Sequence, residues 1–162
     1  MKRRIFFASS LVLAAVLATP VASVAADEVN VSRGLVESGK PLAVHGYDPV
    51  AYFTAGKPTL GSSKFEAVHE GAAYRFASDE NRKAFLANPG KYAPQFGGYC
   101  TYGAAFAKKF DGDPQSWTVV NEKLYLNLSP DIQEKFKQDV PGFIAKADKA
   151  WPKIQHAAVA GL

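Results

Sequence analysis

Residues 65–76 read Phe65-Glu66-Ala67-Val68-His69-Glu70-Gly71-Ala72-Ala73-Tyr74-Arg75-Phe76. Aromatic and branched side chains, which favour pleated surfaces, lie on both sides of the turn-forming pair Glu70-Gly71. We therefore predict a β-hairpin with strands over residues 65–69 and 73–76. A second pair of such runs, over residues 117–120 and 124–126, predicts another hairpin that turns at residues 121–123.

Helix signals flank both hairpins. Ser78 precedes two acidic residues and predicts an N-cap, and the Asn88-Pro89 pair predicts the end of that helix. Ser129 followed by Pro130 predicts a second start, and Pro141 is expected to separate this helix from a third. We find no internal sequence repeat. The pattern as a whole predicts a small single α+β domain with two β-hairpins packed on three or four short helices.

The first 26 residues have the order of a secretory signal peptide. Lys2, Arg3 and Arg4 precede an apolar run over residues 5–18, and small residues at 24–26 precede Asp27. The apolar run is shorter than the roughly 20 residues that cross a bilayer. We expect cleavage after Ala26, a periplasmic or secreted mature protein, and no stable membrane insertion. The arginine pair leaves both the unfolded and the twin-arginine export routes open.

The charge of the mature chain excludes one class of partner. The chain has 19 basic and 15 acidic residues, and removing the three basic residues of the leader leaves 16 against 15, a net charge of +1. A nearly neutral domain lacks the basic footprint of a nucleic-acid-binding protein. Cys100 is the single cysteine, so no intramolecular disulfide can form.

We divide the mature chain into three segments. Residues 27–41 mix charge with glycine and are expected to form an N-terminal arm. The domain proper is predicted over residues 42–154, and residues 155–162 are expected to form a C-terminal tail.

Several spaced segments agree in order with one known family. They are Gly46-Tyr47-Asp48-Pro49-Val50-Ala51-Tyr52-Phe53, Tyr74-Arg75-Phe76-Ala77-Ser78, Asn88-Pro89-Gly90-Lys91-Tyr92 and Gln95-Phe96-Gly97-Gly98-Tyr99-Cys100. With these segments the chain resembles the YHS-domain family, and in particular its exported single-domain members. The resemblance covers roughly residues 45–154 and implies a YHS/TRASH-like core.

The resemblance does not extend to the cysteines of the family. Metal-handling relatives hold a soft metal with cysteines between a hairpin and a helix, and the corresponding positions here are Ala51, Ala77 and Asn81. A methyl group cannot ligate a metal, and structural sites of this type need several cysteine or histidine ligands. We therefore transfer no metal ligand from the family, and the cofactor stays unknown. A metal ion remains an open alternative, with His45 and Cys100 as its candidate ligands.

The leading hypothesis is a noncatalytic binding module for a small ligand, a metal or a partner protein of the periplasm. Its face is expected to include the best-matched segments, where glycine, tyrosine and the single thiol cluster. The predicted ligand-binding residues are His45, Asp48, Tyr52, Arg75, Tyr99, Cys100 and Tyr102. The alternative is a thiol-dependent redox or transferase enzyme that uses Cys100, because a thiol at a helix N-terminus can gain reactivity. A buried, inert cysteine is the competing interpretation of the same residue.

Overall fold

The computed structural model describes residues 28–161, and the predicted signal peptide lies outside the described residues. Two antiparallel hairpins confirm the predicted strands. The first pairs β1 (Ser62–His69) with β2 (Ala72–Phe76), and the second pairs β3 (Asp113–Val120) with β4 (Lys123–Asn127). The first strand of each hairpin begins earlier than predicted, because a bulge separates its first residue from the regular ladder.

The described residues contain six α-helices. They are α1 (Ala51–Thr54), α2 (Asp79–Ala87), α3 (Pro89–Tyr92), α4 (Thr101–Ala104), α5 (Pro130–Lys137) and α6 (Val140–Ile154). The α+β class with two hairpins is thus confirmed. The helix number exceeds three or four because α1, α3 and α4 are single turns, which lack the periodic apolar pattern by which longer helices are predicted.

Side-chain caps fix where the longer helices begin. The Ser78 hydroxyl accepts from the backbone N–H of Asn81 at 3.2 Å, and the Ser129 hydroxyl accepts from Ile132 at 3.4 Å. Each cap satisfies one of the donors that a helix N-terminus leaves unpaired. Pro141 lies in the first turn of α6, where proline is tolerated, so it accompanies the start of that helix.

The core has two clusters that β4 joins. Leu124 and Leu126 belong to the first cluster, which also contains Tyr74, Phe76 and Phe85. Tyr125, between the two leucines, belongs to the second cluster with Phe136 and Phe96. Successive side chains of a strand point to opposite faces, so this one strand packs against both clusters.

The predicted arm and tail both pack against the domain. Val29 is only 1% exposed and belongs to the first core cluster, and the backbone N–H of Asn30 donates to the carbonyl of Gly97 at 2.7 Å. The ammonium group of buried Lys109 donates to the carbonyl oxygens of Gln155 and Ala157, both at 2.8 Å. Arm and tail therefore contribute to the same folded unit as the hairpins.

The structure repeats one arrangement twice, although the sequence analysis found no repeat. Each half contains a left-handed turn, a one-turn helix, a bulged hairpin and a serine-capped helix, in that order. The registers correspond at a constant offset of 51 residues: Ser62 pairs with Phe76, and Asp113 pairs with Asn127. Few side chains repeat with the backbone, which explains why the repetition is inconspicuous in the sequence.

No helix among residues 28–161 combines the length and the apolar composition needed to cross a membrane.

Candidate functional site

Two left-handed turns position the residues that the sequence singled out. In the first turn Val44, His45 and Gly46 have φ angles of 51°, 49° and 80°. In the second turn Phe96, Gly97 and Gly98 have φ angles of 54°, 62° and 80°. Such angles are unfavourable for residues other than glycine, and most of all for the β-branched Val44. Strained backbone of this kind is often found at binding sites.

The first turn is followed by Asp48, whose carboxylate is buried and fully hydrogen-bonded. Asp48 is fully buried, and its Oδ1 accepts from the backbone N–H groups of Val50 at 2.8 Å and Ala51 at 3.3 Å. Its Oδ2 accepts from the backbone N–H of Ala77 at 2.9 Å and from the side-chain amide of Asn81 at 2.6 Å. Four donors saturate this carboxylate, so Asp48 ties α1 to the hairpin and to α2 and presents no acceptor to a ligand.

Ala51, Ala77 and Asn81, the positions that the resemblance aligns with cysteines, meet at this carboxylate. Ala51 and Ala77 contribute backbone N–H groups, and Asn81 contributes its side chain. The positions are therefore close together, as a shared site requires. Each of the three residues donates one hydrogen bond to the Asp48 carboxylate.

Cys100 has the corresponding place in the second half. Its Sγ accepts from the backbone N–H of Gly103 at 3.3 Å, three residues later, as Asp48 accepts from Ala51. The thiol lies 3.7 Å from Oδ1 of Asn127 and is only 1% exposed. Burial raises the pKa of the Cys100 thiol, and the backbone N–H groups around it oppose that rise only in part.

The amide of Asn127 organises the surroundings of the thiol. Its Oδ1 also accepts from the backbone N–H of Tyr102 at 3.0 Å, and its Nδ2 donates to Gln133 at 2.6 Å. Gln133 in turn donates to the carbonyl of Trp117 at 2.8 Å. A hydrogen-bonded network thus does in the second half what the single carboxylate does in the first.

Three further predicted site residues have structural partners away from any shared site. The Tyr52 hydroxyl donates to the carbonyl of Pro114 at 3.0 Å, and burial raises its pKa above the ordinary value. Arg75 lies 3.4 Å from the Glu66 carboxylate across the first hairpin. The ring of Tyr102 packs on Phe143 at 4.8 Å between centroids.

His45 and Tyr99 lie together in a cleft of about 590 Å³. The arm, the two left-handed turns, the segment before β3 and the tail form its walls, with lining residues Asn30, Val31, Ser32, Arg33, His45, Tyr99, Asp111 and Val159. This volume is in the range of small-molecule sites. The predicted arm and tail are therefore the segments that create the cleft.

A polar triad lines this cleft. His45 Nε2 lies 2.8 Å from Asp111 Oδ1, and the side-chain amide of Asn30 donates to the same oxygen at 2.7 Å. Asn30 also donates to the carbonyl of Gly98 at 3.2 Å, which connects the triad to the second left-handed turn. The side chains of His45 and Asp111 are 39% and 54% exposed, so both are accessible to a solute.

Six of the eight lining residues were not predicted from the sequence. Arg33 and its neighbours belong to an arm without periodicity, and Asp111 lies in a segment that is typical of an ordinary turn. Long-range contacts of Asp111 with Asn30 and His45 bring these segments together. The left-handed glycines Gly46, Gly97 and Gly98 were the one usable signal, because glycine-rich turns allow close backbone approach.

Among the described residues, no group of three or more histidine, cysteine and acidic side chains is placed to hold a metal ion. His45 contacts Asp111 at the surface, whereas Cys100 contacts Asn127 in the interior. The two candidate metal ligands therefore belong to different surroundings. Comparison of the chain with protein-family models, curated proteins and solved structures found no match.

Proposed function

We propose that this protein is an exported, noncatalytic binding module of the YHS type that holds a small polar ligand in the cleft beside His45 and Asp111. The observation that carries the proposal is the triad of Asn30, His45 and Asp111, which lines a cleft of suitable volume and has exposed His45 and Asp111 side chains. The convergence of Ala51, Ala77 and Asn81 on Asp48 supports the YHS part of the proposal.

The charges of the cleft favour a zwitterion. Asp111 uses Oδ1 for His45 and Asn30, and no hydrogen bond within residues 28–161 occupies its Oδ2. Arg33 lines the same cleft, is exposed and forms no ion pair with the described residues. A guanidinium binds carboxylates with charge-assisted hydrogen bonds, and a carboxylate binds ammonium groups in the same way. A small amino acid offers both groups at once.

Thermal-shift and calorimetric measurements on the exported protein test this proposal. The probes are a panel of amino acids, dicarboxylates and diamines. We expect amino acids to raise the melting temperature and Arg33→Ala or Asp111→Ala to abolish the effect. The matched control is Lys57→Ala, which removes an exposed cation outside the cleft and should keep the response. If no probe shifts the wild type, or if the variants respond as the wild type does, the cleft proposal is wrong.

The export proposal has its own test. Mass spectrometry of the protein from the periplasmic fraction of a bacterial host should show Asp27 as the first residue. A chain that retains Met1, or that stays in the cytoplasm, would contradict export while leaving the ligand measurements interpretable.

The geometry of Cys100 gives the thiol-enzyme alternative little support. A catalytic thiol needs a depressed pKa and access to substrate. Here the thiol is buried, and burial raises its pKa. We therefore propose the cleft, and not the thiol, as the functional site.

A further inference from the structure

One surface combines exposed aromatic rings with lysines. Phe106 and Phe110 are 54% and 47% exposed, unusually high for phenylalanine. They flank the exposed Lys108 in the loop that follows α4. We call Phe106, Phe110, Phe143, Lys108 and Lys146 the aromatic–lysine patch.

Ring contacts connect Phe106 with Tyr102 and Phe143, and Phe110 packs beside the same short helix. Phe106 lies 5.2 Å from the ring of Tyr102 and 6.3 Å from the ring of Phe143. The ring of Phe110 covers Gly103, where an added Cβ would come within 2.7 Å of it. The rings of the patch therefore lie against Tyr102 and Gly103 of α4 and reach α6 at Phe143.

Positive charge accompanies the rings. The ammonium group of Lys146 lies 5.2 Å from the centroid of Phe143, in a cation–π arrangement. Lys149 and Lys153 follow on α6 at spacings that place them on the same face as Lys146. Asp139, at the start of that helix, caps its backbone through Gly142 at 3.0 Å. The face beside the rings is thus dominated by lysine.

We propose that the aromatic–lysine patch docks the protein on the surface of an anionic lipid bilayer. Phenylalanine rings enter the interfacial region, and lysines with apolar stems keep their ammonium groups at the phosphates. Charge complementarity identifies the occupant, because the exposed cations beside the rings match anionic headgroups.

The shape of the surface favours a bilayer over an acidic peptide. Peptides bind in grooves or at open sheet edges. The patch is an exposed loop beside a helix, and its members line neither the cleft of the triad nor the second cleft beside Leu35 and Gly71.

Asp111 directly follows Phe110, so docking would bring the mouth of the triad cleft near the membrane. The docking proposal stands whether or not that cleft binds an amino acid.

Vesicle sedimentation of the exported protein tests the proposal. The probes are vesicles of phosphatidylcholine alone and vesicles that also contain phosphatidylglycerol. We expect binding to the anionic vesicles only, and weaker binding as salt rises. Phe106→Ser with Phe110→Ser should lower binding by about tenfold per ring, and Lys108→Glu with Lys146→Glu by at least about fivefold per lysine.

Matched controls separate docking from loss of folding. Val68→Ser with Leu86→Ser removes two apolar side chains of similar exposure elsewhere and should bind as the wild type does. The melting temperature of each variant shows whether it is folded. If the serine variant does not fold, the lysine variant still tests the proposal, because it retains every ring. Absence of binding to anionic vesicles, or unchanged binding of both patch variants, would overturn the proposal. So would a wild-type dimer that the serine variant converts to monomer, because a second copy would then cover the patch.

Discussion

Replacing the buried Asp48 carboxylate by an amide tests how the first half of the fold is held together. Asp48→Asn preserves the shape of the side chain but replaces one acceptor oxygen with a donor. If Oδ2 is replaced, the Asn81 amide can turn over and accept from the new group. The backbone N–H of Ala77, 2.9 Å away, then loses its partner.

The expected cost follows from these contacts. One buried N–H without a partner costs about 2 kcal/mol. The bonds from Val50 and Ala51 to Oδ1 lose their charge assistance, which adds about 0.5 kcal/mol each. We therefore expect Asp48→Asn to lower the free energy of unfolding by about 3 kcal/mol. Most domains have enough stability to remain folded after such a loss.

Urea unfolding followed by tryptophan fluorescence measures this difference in the free energy of unfolding. Trp117 is a suitable reporter, because its ring lies 5.2 Å from the ring of Tyr52 between centroids, and Tyr52 belongs to α1, which Asp48 holds in place. The matched control is Asp131→Asn, the same chemical change at an exposed position in the first turn of α5, where the loss should stay below about 1 kcal/mol. An Asp48→Asn protein as stable as the wild type, or more stable, would refute the reasoning. The cost of burying the charge would then exceed the gain from its four donors.

Three further outcomes are expected. Gly97→Ala should destabilise the protein by more than about 2 kcal/mol and expose the arm to proteolysis, because its Cβ would clash with the carbonyl oxygen of Glu28. Gly56→Ala, at a similar φ but in open space, is the control in the same assays and should cost only about 1 kcal/mol. Cys100 should resist iodoacetamide until urea unfolds the chain, and fast alkylation of the folded protein would contradict its burial. Because the thiol pKa is higher in the folded than in the unfolded state, its contribution to stability is complete below the unfolded value of about 8.5 and is lost as pH rises through the folded value. Wild type should therefore lose stability relative to Cys100→Ser in alkaline urea titrations, and parallel curves would contradict the shift.

Local patterns predicted the hairpins and the capped helices, because those signals lie within a few residues of the elements they specify. Ser78 and Ser129 cap the helices that they were expected to begin. The one-turn helices were less predictable. The segment after Cys100 forms a helix only to Ala104, and Ala107 reverses the chain with a φ of 56°. A positive φ at alanine has no signature in a sequence.

The cleft was less predictable than the fold, because residues distant in the chain line it. Glycine and tyrosine led to His45 and Tyr99, which do line the cleft. The same reasoning selected Asp48 and Cys100, whose polar atoms face the interior. Residue type shows that a group can bind a ligand, whereas its local partners decide whether it remains available.

Asp48 and Cys100 show how one backbone arrangement accepts different chemistry. Both follow a left-handed turn and a tyrosine, and both accept from the N–H three residues later. Asp48 has a second oxygen that reaches the first hairpin and α2 through Ala77 and Asn81. A thiol has a single acceptor atom, so in the second half Asn127 supplies the connection from β4 to the backbone of Tyr102. The acceptors at positions 48 and 100 thus connect secondary-structure elements, whereas the side chains of His45 and Asp111 in the triad remain exposed in the cleft.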